Sequence, residues 1–173
     1  MLVGISAVMA SACAYNNVID RDIDAKMART KKRAVVTGVI SPSHALLYAS
    51  VFLVLGLFIL VYGANALTAV VALFGHFAYV VLYTWAKRQT VYGTLVGTIS
   101  GSTPPVIGYV AATGKLDMIA VLLFFVLVAW QMAHFFSIAI FQRDDYASAN
   151  IPVLSVVKGM VATRRQIIAT AER

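Results

Sequence analysis

The sequence predicts an all-α membrane protein, a polytopic bundle of about five transmembrane helices. Of its 173 residues, 61% are hydrophobic and only 12% are charged, whereas an ordinary soluble domain carries about a quarter charged residues. Most of the charged residues lie in gaps between long apolar segments. This composition excludes a soluble globular domain and a disordered chain. The single cysteine, Cys13, excludes a disulfide scaffold and a cysteine-ligated metal site.

Apolar segments close to the length of about 20 residues that a membrane span needs define the elements in chain order. They are residues 1–18, 44–62, 66–85, 94–112 and 118–141. The second follows Ser41-Pro42-Ser43, in which Ser43 is expected to cap the helix. A sixth segment, about 160–173, stops before it has spanned a membrane. We therefore expect one transmembrane domain over residues 1–173 that is incomplete at both ends.

Glycines and prolines occur within the fourth segment, namely Gly101, Pro104, Pro105 and Gly108. They predict an interrupted helix, which a membrane protein tolerates where the interruption is buried in protein or lines a cavity. The interruption is expected either to shape a chamber or to form a simple packing kink.

The basic residues indicate how the bundle is oriented. The net charge is +7, and twelve of the 14 lysines and arginines lie in the first, third and fifth gaps between the apolar segments. The other two gaps together contain one. The positive-inside rule places the three basic gaps in the cytoplasm. This distribution is typical of membrane topology and does not indicate a surface that binds nucleic acid.

Acidic residues are concentrated in two of these cytoplasmic gaps, each directly after an apolar helix. If the first helix continues, Asn16, Asp20 and Asp24 stand at i, i+4 and i+8 and share one face. Oxygen ligands of this kind suit Mg²⁺, which is often held by one or two carboxylates together with phosphate groups of a substrate. The following basic residues are expected to bind phosphate oxygens; they are Arg29, Lys31, Lys32 and Arg33. The alternative is that the acids only balance these bases at the lipid headgroups.

The segment from Asn16 to Arg33 resembles the signature of the UbiA-type intramembrane prenyltransferases. It has the form N-x3-D-x2-I-D-x2-M-x-R-T-x2-R that is typical of the branch that farnesylates haem. Further similarity includes Pro104-Pro105-Val106-Ile107-Gly108, Trp130-Gln131-Met132 with His134, and the segment from Asp145 to Gly159. The sequence departs from the family pattern at Ala133 and Ser155, where the family usually has proline.

The resemblance implies a larger helical bundle of which this chain is a fragment. It also implies a reaction in which the farnesyl group of farnesyl diphosphate joins a vinyl group of haem b. Water adds, pyrophosphate leaves, and the product, haem O, serves haem–copper terminal oxidases. The protein is then expected in the bacterial inner membrane, in contact with lipid and with haem-processing or oxidase-assembly proteins.

The resemblance assigns roles to residues of this chain. Asp20, Asp24 and Asp145 would hold Mg²⁺, and Asn16 would add a neutral oxygen. Charge on the departing pyrophosphate would be stabilised by four cations, namely Arg29, Arg33, Lys87 and Arg88. Tyr146 would contact the diphosphate.

Other polar residues leave alternatives open. Asp22 is expected to face away from Asp20 and Asp24 and to pair with Arg21 or Lys26, and Asp144 is expected to be solvated. His134 is expected either to contact haem or to form a hydrogen bond across the bundle. For His76 a packing role is favoured, and His44 is expected at the interface with lipid.

Two rival functions remain. One is a prenyltransferase of the same family that acts on an aromatic quinone precursor. The other is a transporter or a non-catalytic membrane subunit, which would carry acidic residues in the middle of its spans. None of the five predicted spans contains a carboxylate, which counts against this second rival.

Overall fold

The computed structural model describes residues 1–171, and these residues form helices joined by short loops. The helices are α1 (Leu2–Ile19), α2 (Arg21–Asp24), α3 (Ala34–Thr37), α4 (Pro42–Gly63), α5 (Ala66–Phe77), α6 (Thr84–Gln89), α7 (Gly93–Thr113), α8 (Met118–Phe141), α9 (Arg143–Ser148), α10 (Leu154–Val157) and α11 (Gly159–Ala171). A π-helical turn, Ala78–Tyr83, joins α5 to α6. The predicted all-α class is confirmed. The last two residues of the predicted sixth segment lie outside the described residues.

Within the described residues, four helices are long and apolar enough to cross a membrane. They are Leu2–Ile19, Pro42–Gly63, the joined helix Ala66–Gln89, and Met118–Phe141. The predicted span 94–112 forms α7, which is long enough but less apolar. Its Thr98, Ser102 and Thr103 are buried in the bundle, and α7 packs against both α5 and α8. These three polar side chains therefore face protein, which explains how α7 can be the least apolar of the five.

The helix is not interrupted in this fourth span, but Gly101 and Pro104 line the cavity of the bundle, as expected of residues that shape a chamber. Helix α7 runs without a break from Gly93 to Thr113, with Pro104 and Pro105 inside it. The departure from α-helical geometry lies instead in the π-helical turn of the preceding helix. Such turns are rare and frequently lie at functional sites.

Side-chain caps determine where several helices begin. The Ser41 hydroxyl accepts a hydrogen bond from the backbone N–H of His44 at the start of α4, so Ser41 is the cap and the expectation for Ser43 is wrong. Proline at the first helical position fits this arrangement, because its missing N–H needs no partner there. Asn65 and Asp117 cap α5 and α8 in the same way.

Helices α1 and α4 pack closely through two glycines. A Cβ atom on Gly56 would lie 2.8 Å from the Val8 side chain and 2.9 Å from the backbone oxygen of Gly4. Small residues let membrane helices approach in this way, and the close contact of the two backbones then stabilises the pair.

The substitution Gly56→Ala is expected to destabilise the bundle by about 1–3 kcal/mol, because the added methyl group must push α1 and α4 apart. Thermal unfolding in detergent micelles measures the loss. Gly63→Ala in the same helix is the matched control, because a Cβ there meets nothing within 4 Å. Equal stability of the two variants would contradict this account of the α1–α4 contact.

Candidate functional site

The site lies at the end of the bundle where α1, α6 and α8 end. Asp20 follows α1 directly, and its backbone N–H donates to the carbonyl of Asn16, while the N–H of Asp24 donates to the carbonyl of Asp20, each at 2.8 Å. The i, i+4, i+8 spacing predicted for these residues is therefore preserved across the junction between α1 and α2. All three are buried, with Asp20 and Asp24 only 1% and 2% exposed. The Asn16 side-chain amide donates to Asp20 Oδ2 at 2.6 Å.

Each buried carboxylate is paired with a cation from another part of the chain. Lys87, on α6, forms a salt bridge with Asp20, and Arg33 donates to Asp24 Oδ2 at 2.5 Å. Arg88 adds a longer contact to Asp20 Oδ1, at 3.3 Å. A buried carboxylate is costly unless it is paired in this way. The arrangement shows that positive charge is accommodated directly against both carboxylates.

Arg88 forms hydrogen bonds to several groups at the C-terminal end of α1. It donates to both carboxylate oxygens of Asp22, at 2.7 and 3.0 Å, and to the carbonyl of Ile19 at 2.8 Å. The expected pairing of Asp22 with Arg21 or Lys26 is therefore wrong, because Arg88 of α6 binds both oxygens of its carboxylate. The hydrogen bond from Arg88 holds the pKa of Asp22 below its ordinary value.

Asp145 lies in α9, within the second acidic segment, and its side chain contacts the loop that follows α2. Its carboxylate accepts hydrogen bonds from the backbone N–H groups of Ala28 and Arg29, at 2.9 and 3.4 Å. Beside it, the Ser148 hydroxyl donates to the carbonyl of Lys26. The two acidic segments also share a hydrophobic cluster; its buried members are Ile23, Met27, Ala149 and Ile151. The two segments therefore pack against each other.

Over residues 1–171, no group of three or more histidine, cysteine, aspartate or glutamate side chains is close enough to hold a metal ion. The predicted set of Asp20, Asp24 and Asp145 is thus not gathered in this arrangement, because Asp145 is turned to the backbone of the basic loop. The donor chemistry of Asn16, Asp20 and Asp24 nevertheless fits a hard cation. These residues offer oxygen atoms one helical turn apart, next to positions that positive groups already occupy.

A cavity of about 540 Å³ opens beside this network and extends into the bundle between α1, α5, α7 and α8. Its lining is mostly apolar. Three of the predicted substrate-binding residues line it, namely Arg29, Lys87 and Tyr146. Burial raises the pKa of Tyr146, so its hydroxyl remains a neutral hydrogen-bond donor. The positive groups and the apolar space therefore adjoin, as a ligand with an anionic head and an apolar tail requires.

One face of the joined helix α5–α6 contributes a row of polar and aromatic side chains to the cavity. The row consists of His76, Tyr79, Tyr83 and Lys87. The two tyrosine rings are stacked, with centroids 5.6 Å apart, and Lys87 Nζ lies 5.4 Å from the centre of the Tyr83 ring. The π-helical turn lies within this row and contains both tyrosines. The spacing of 3, 4 and 4 residues is the signal in the sequence from which this row could have been predicted.

The histidines occupy different environments, and His76 makes the packing contacts expected of it, with Ser11 and Tyr15. His134 is exposed on the outer face of α8, stacked on Trp130 with ring centroids 5.4 Å apart, and it does not line the cavity described here. His76 does line it and forms a hydrogen bond to Ser11 of α1 at 3.1 Å. Hydropathy alone gave no reason to prefer one mid-span histidine to the other, because the choice depends on how each helix is rotated in the bundle.

The sequence departs from the family pattern at Ala133 and Ser155, and the structure accommodates both residues within or against α8. Ala133 lies inside α8, which is continuous through it. Ser155 is fully buried, and its hydroxyl donates to the carbonyl of Ala139 near the end of α8 at 2.6 Å. This hydrogen bond connects the start of α10 to α8.

Comparisons with known proteins agree on the family to which the chain is similar. The model of the UbiA prenyltransferase family matches residues 1–171. The chain is 50% identical over 168 residues to a protein of Aliivibrio salmonicida (strain LFI1238) named protoheme IX farnesyltransferase, and the match covers 96% of this chain and 58% of that protein. A protein of the same name from Yersinia pseudotuberculosis (strain IP 31758) is 50% identical over 167 residues, which cover 96% of this chain and 57% of that protein.

The chain thus spans a little more than half the length of these curated relatives. No solved structure shows significant similarity to it. The matches confirm the resemblance carried by the segment from Asn16 to Arg33.

Proposed function

Because the chain belongs to the UbiA prenyltransferase family, we propose that it forms part of an integral membrane enzyme that transfers a farnesyl group from farnesyl diphosphate to a vinyl group of haem b. Water adds in the same reaction, and the products are haem O and pyrophosphate. The observation that carries the proposal is the pair of buried carboxylates, Asp20 and Asp24, held with cations beside an apolar cavity. The choice of haem as acceptor is supported by relatives named protoheme IX farnesyltransferase.

The diphosphate binds at the charged end of the cavity. Arg29 and Lys87 already line this end, and Tyr146 offers a neutral donor. Arg33 is fixed nearby by Asp24. Donors placed in advance where negative charge develops are an effective means of stabilising a transition state. Bond cleavage leaves that charge on pyrophosphate, and these groups receive it.

Mg²⁺ is the cation that Asn16, Asp20 and Asp24 would hold in this proposal. When bound, it supplies Lewis-acid stabilisation of the leaving pyrophosphate. Lys87 and Arg33 balance the same carboxylates in the structure. Their side chains are long enough to contact phosphate oxygens as well. The charges of diphosphate and Mg²⁺ largely offset each other, so the net charge of the site changes little when both bind together. Asp145 acts here through the loop that carries Arg29, whose backbone it holds.

The farnesyl tail occupies the apolar part of the cavity. A volume of about 540 Å³ lies within the range of about 300–1,000 Å³ that is common for small-molecule sites. The aromatic faces of Tyr79 and Tyr83 are available to the allylic cation that forms when the C–O bond breaks. Low water content in this space protects the cation from premature capture.

We further propose that the protein lies in the cell inner membrane with the charged end of the site in the cytoplasm. The support is the distribution of basic residues, which the positive-inside rule assigns to that side. Haem O made there is available to haem-processing and oxidase-assembly proteins.

The test is an assay of membranes that contain the chain, supplied with haem b, farnesyl diphosphate and Mg²⁺. We expect a haem product whose mass has increased by farnesyl plus one water, and we expect its formation to stop when EDTA removes the metal. The Yersinia pseudotuberculosis relative serves as the positive control. A second sample contains this chain fused to the parts of that relative that lie outside the match. Product from the relative but from neither sample would overturn the proposal. Transfer to an aromatic quinone precursor in place of haem would establish the rival acceptor.

A further inference from the structure

The proposed reaction contains a step that releases a proton, and no residue has yet been assigned to accept it. After the farnesyl group joins the outer carbon of the vinyl group, a water molecule adds to the inner carbon and must lose a proton. Of the described residues that line the cavity, none is aspartate or glutamate. The carboxylates of Asp20 and Asp24 are outside the lining and are held by cations. The departing pyrophosphate is also a base, but it stays at the charged end, so a proton released deeper in the cavity needs another acceptor.

His76 is the histidine that the structure places in this cavity. It is half-buried in α5, beside the π-helical turn, and its Nε2 lies 3.1 Å from the hydroxyl of Ser11, which is fully buried. Its ring also makes an edge contact with Tyr15, with centroids 5.7 Å apart. These contacts fix the orientation of the ring. They engage Nε2 and leave Nδ1 without a hydrogen bond within the described structure.

The position of His76 along the cavity suits the step. Its partner Ser11 precedes Asn16 by five residues of α1, which is roughly 7.5 Å along the helix axis. Asn16 in turn contacts Asp20, the residue that Lys87 binds. His76 therefore lies deeper in the bundle than the diphosphate end of the cavity. The distance between them is comparable to the combined length of the reacting carbon of farnesyl and a vinyl group. Tyr79 and Tyr83 lie between the two ends of the row.

We propose that His76 is a catalytic residue that accepts the proton of the adding water, with Ser11 holding its ring. This inference rests on the proposed function. A neutral histidine in the tautomer that donates Nε2–H to Ser11 carries its lone pair on Nδ1. A base placed within reach of a reacting water typically contributes about 10²–10⁴-fold to the rate.

The electrons and atoms of the step balance as follows. The C1–O bond of farnesyl diphosphate breaks, and its electron pair leaves with pyrophosphate. The π electrons of the vinyl group form the new bond between C1 and the outer vinyl carbon, which leaves the inner carbon electron-poor. Water donates an oxygen lone pair to that carbon. One of its protons passes to Nδ1 of His76 and from there to solvent, so the product carries a hydroxyl group.

The test compares wild type with His76→Phe and His76→Gln in membranes, using haem b, farnesyl diphosphate, Mg²⁺ and water labelled with heavy oxygen. Pyrophosphate release and the masses of the haem products are measured together. Phenylalanine keeps an aromatic ring against Tyr15, and glutamine keeps a hydrogen bond to Ser11. His44→Gln is the matched control, because His44 lies exposed at the start of α4.

We expect pyrophosphate release from both His76 variants to stay within about threefold of wild type, while labelled, hydroxylated product falls by about 100-fold. A farnesylated haem lighter by one water accumulates in its place, because the cation then loses a carbon-bound proton. Ser11→Ala is expected to lower the hydroxylated fraction less than the His76 variants do.

Labelled, hydroxylated product at the wild-type fraction in either folded His76 variant overturns the role of His76. The two substitutions are chemically different, so misfolding of one, seen by size-exclusion chromatography in detergent, leaves the other to decide. If both misfold, the Ser11→Ala result decides, and an unchanged hydroxylated fraction overturns the proposal. No pyrophosphate release and no product from wild type, either alone or fused to the parts of the Yersinia pseudotuberculosis relative that lie outside the match, with product from that relative itself, would be the failure of the proposed function.

Discussion

Replacing Asp20 with asparagine is expected to lower turnover of farnesyl diphosphate by at least about 100-fold, the size of effect seen when one preorganised electrostatic contact to a transition state is lost. Asparagine has nearly the same shape as aspartate, but it lacks the charge that would hold Mg²⁺. It also leaves Lys87 and Arg88 without their shared carboxylate. Pyrophosphate release in membranes, with substrate above saturation, measures the effect.

The same substitution is expected to destabilise the protein. Removing one partner of a buried ion pair typically costs about 3–5 kcal/mol, because the other charge remains buried without compensation. Asp144→Asn is the matched control, since Asp144 is exposed on α9 and its neighbour Asp145 makes the contacts to the basic loop. Unchanged turnover in Asp20→Asn would remove Asp20 from the metal and diphosphate site. A turnover loss in Asp144→Asn as large as in Asp20→Asn would show that the effect is not specific to the buried carboxylate.

Lys87→Met is expected to produce the second large effect, a loss of about 10²–10³-fold in turnover. Lys87 combines three features in one side chain. It forms the closest salt bridge of Asp20, it lines the cavity, and its ammonium group lies over the Tyr83 ring. Methionine keeps the length and the apolar stem but removes the charge that diphosphate needs. Steady-state kinetics with farnesyl diphosphate would show the loss in kcat, together with a raised KM.

Two further variants separate charge from shape at this position. Lys87→Arg keeps the positive charge and is expected to recover part of the activity, because its planar fork fits the same carboxylate with different geometry. Lys115→Met removes an exposed lysine from the loop before α8 and should leave turnover unchanged. Full activity of Lys87→Met would mean that Lys87 serves Asp20 alone and makes no contact to diphosphate.

Arg88 connects several groups at the charged end of the bundle. A single guanidinium holds the last carbonyl of α1, the carboxylate of Asp22 and, at longer range, that of Asp20. The joined helix α5–α6 therefore supplies two neighbouring cations with different tasks. Lys87 faces the cavity, while Arg88 fastens the junction of α1 and α2.

The sequence by itself determined the class of the protein and the local part of the site. Hydropathy is summed along one segment, so four spans could be found without knowledge of the packing. The spacing of Asn16, Asp20 and Asp24 likewise depends on a single stretch of helix, and the hydrogen bonds between these residues preserve it. The family resemblance rested on the same stretch and was confirmed.

The tertiary structure decided which distant residues meet. Asp22 pairs with Arg88 and not with its neighbours in the chain, Asp145 binds backbone groups of the basic loop, and His76 rather than His134 reaches the cavity. Each of these outcomes depends on how two helices are rotated and how far one has shifted along the other. Those quantities are set by close packing at contacts such as Gly4 with Gly56 and by buried charge pairing, and both join residues that are far apart in the chain.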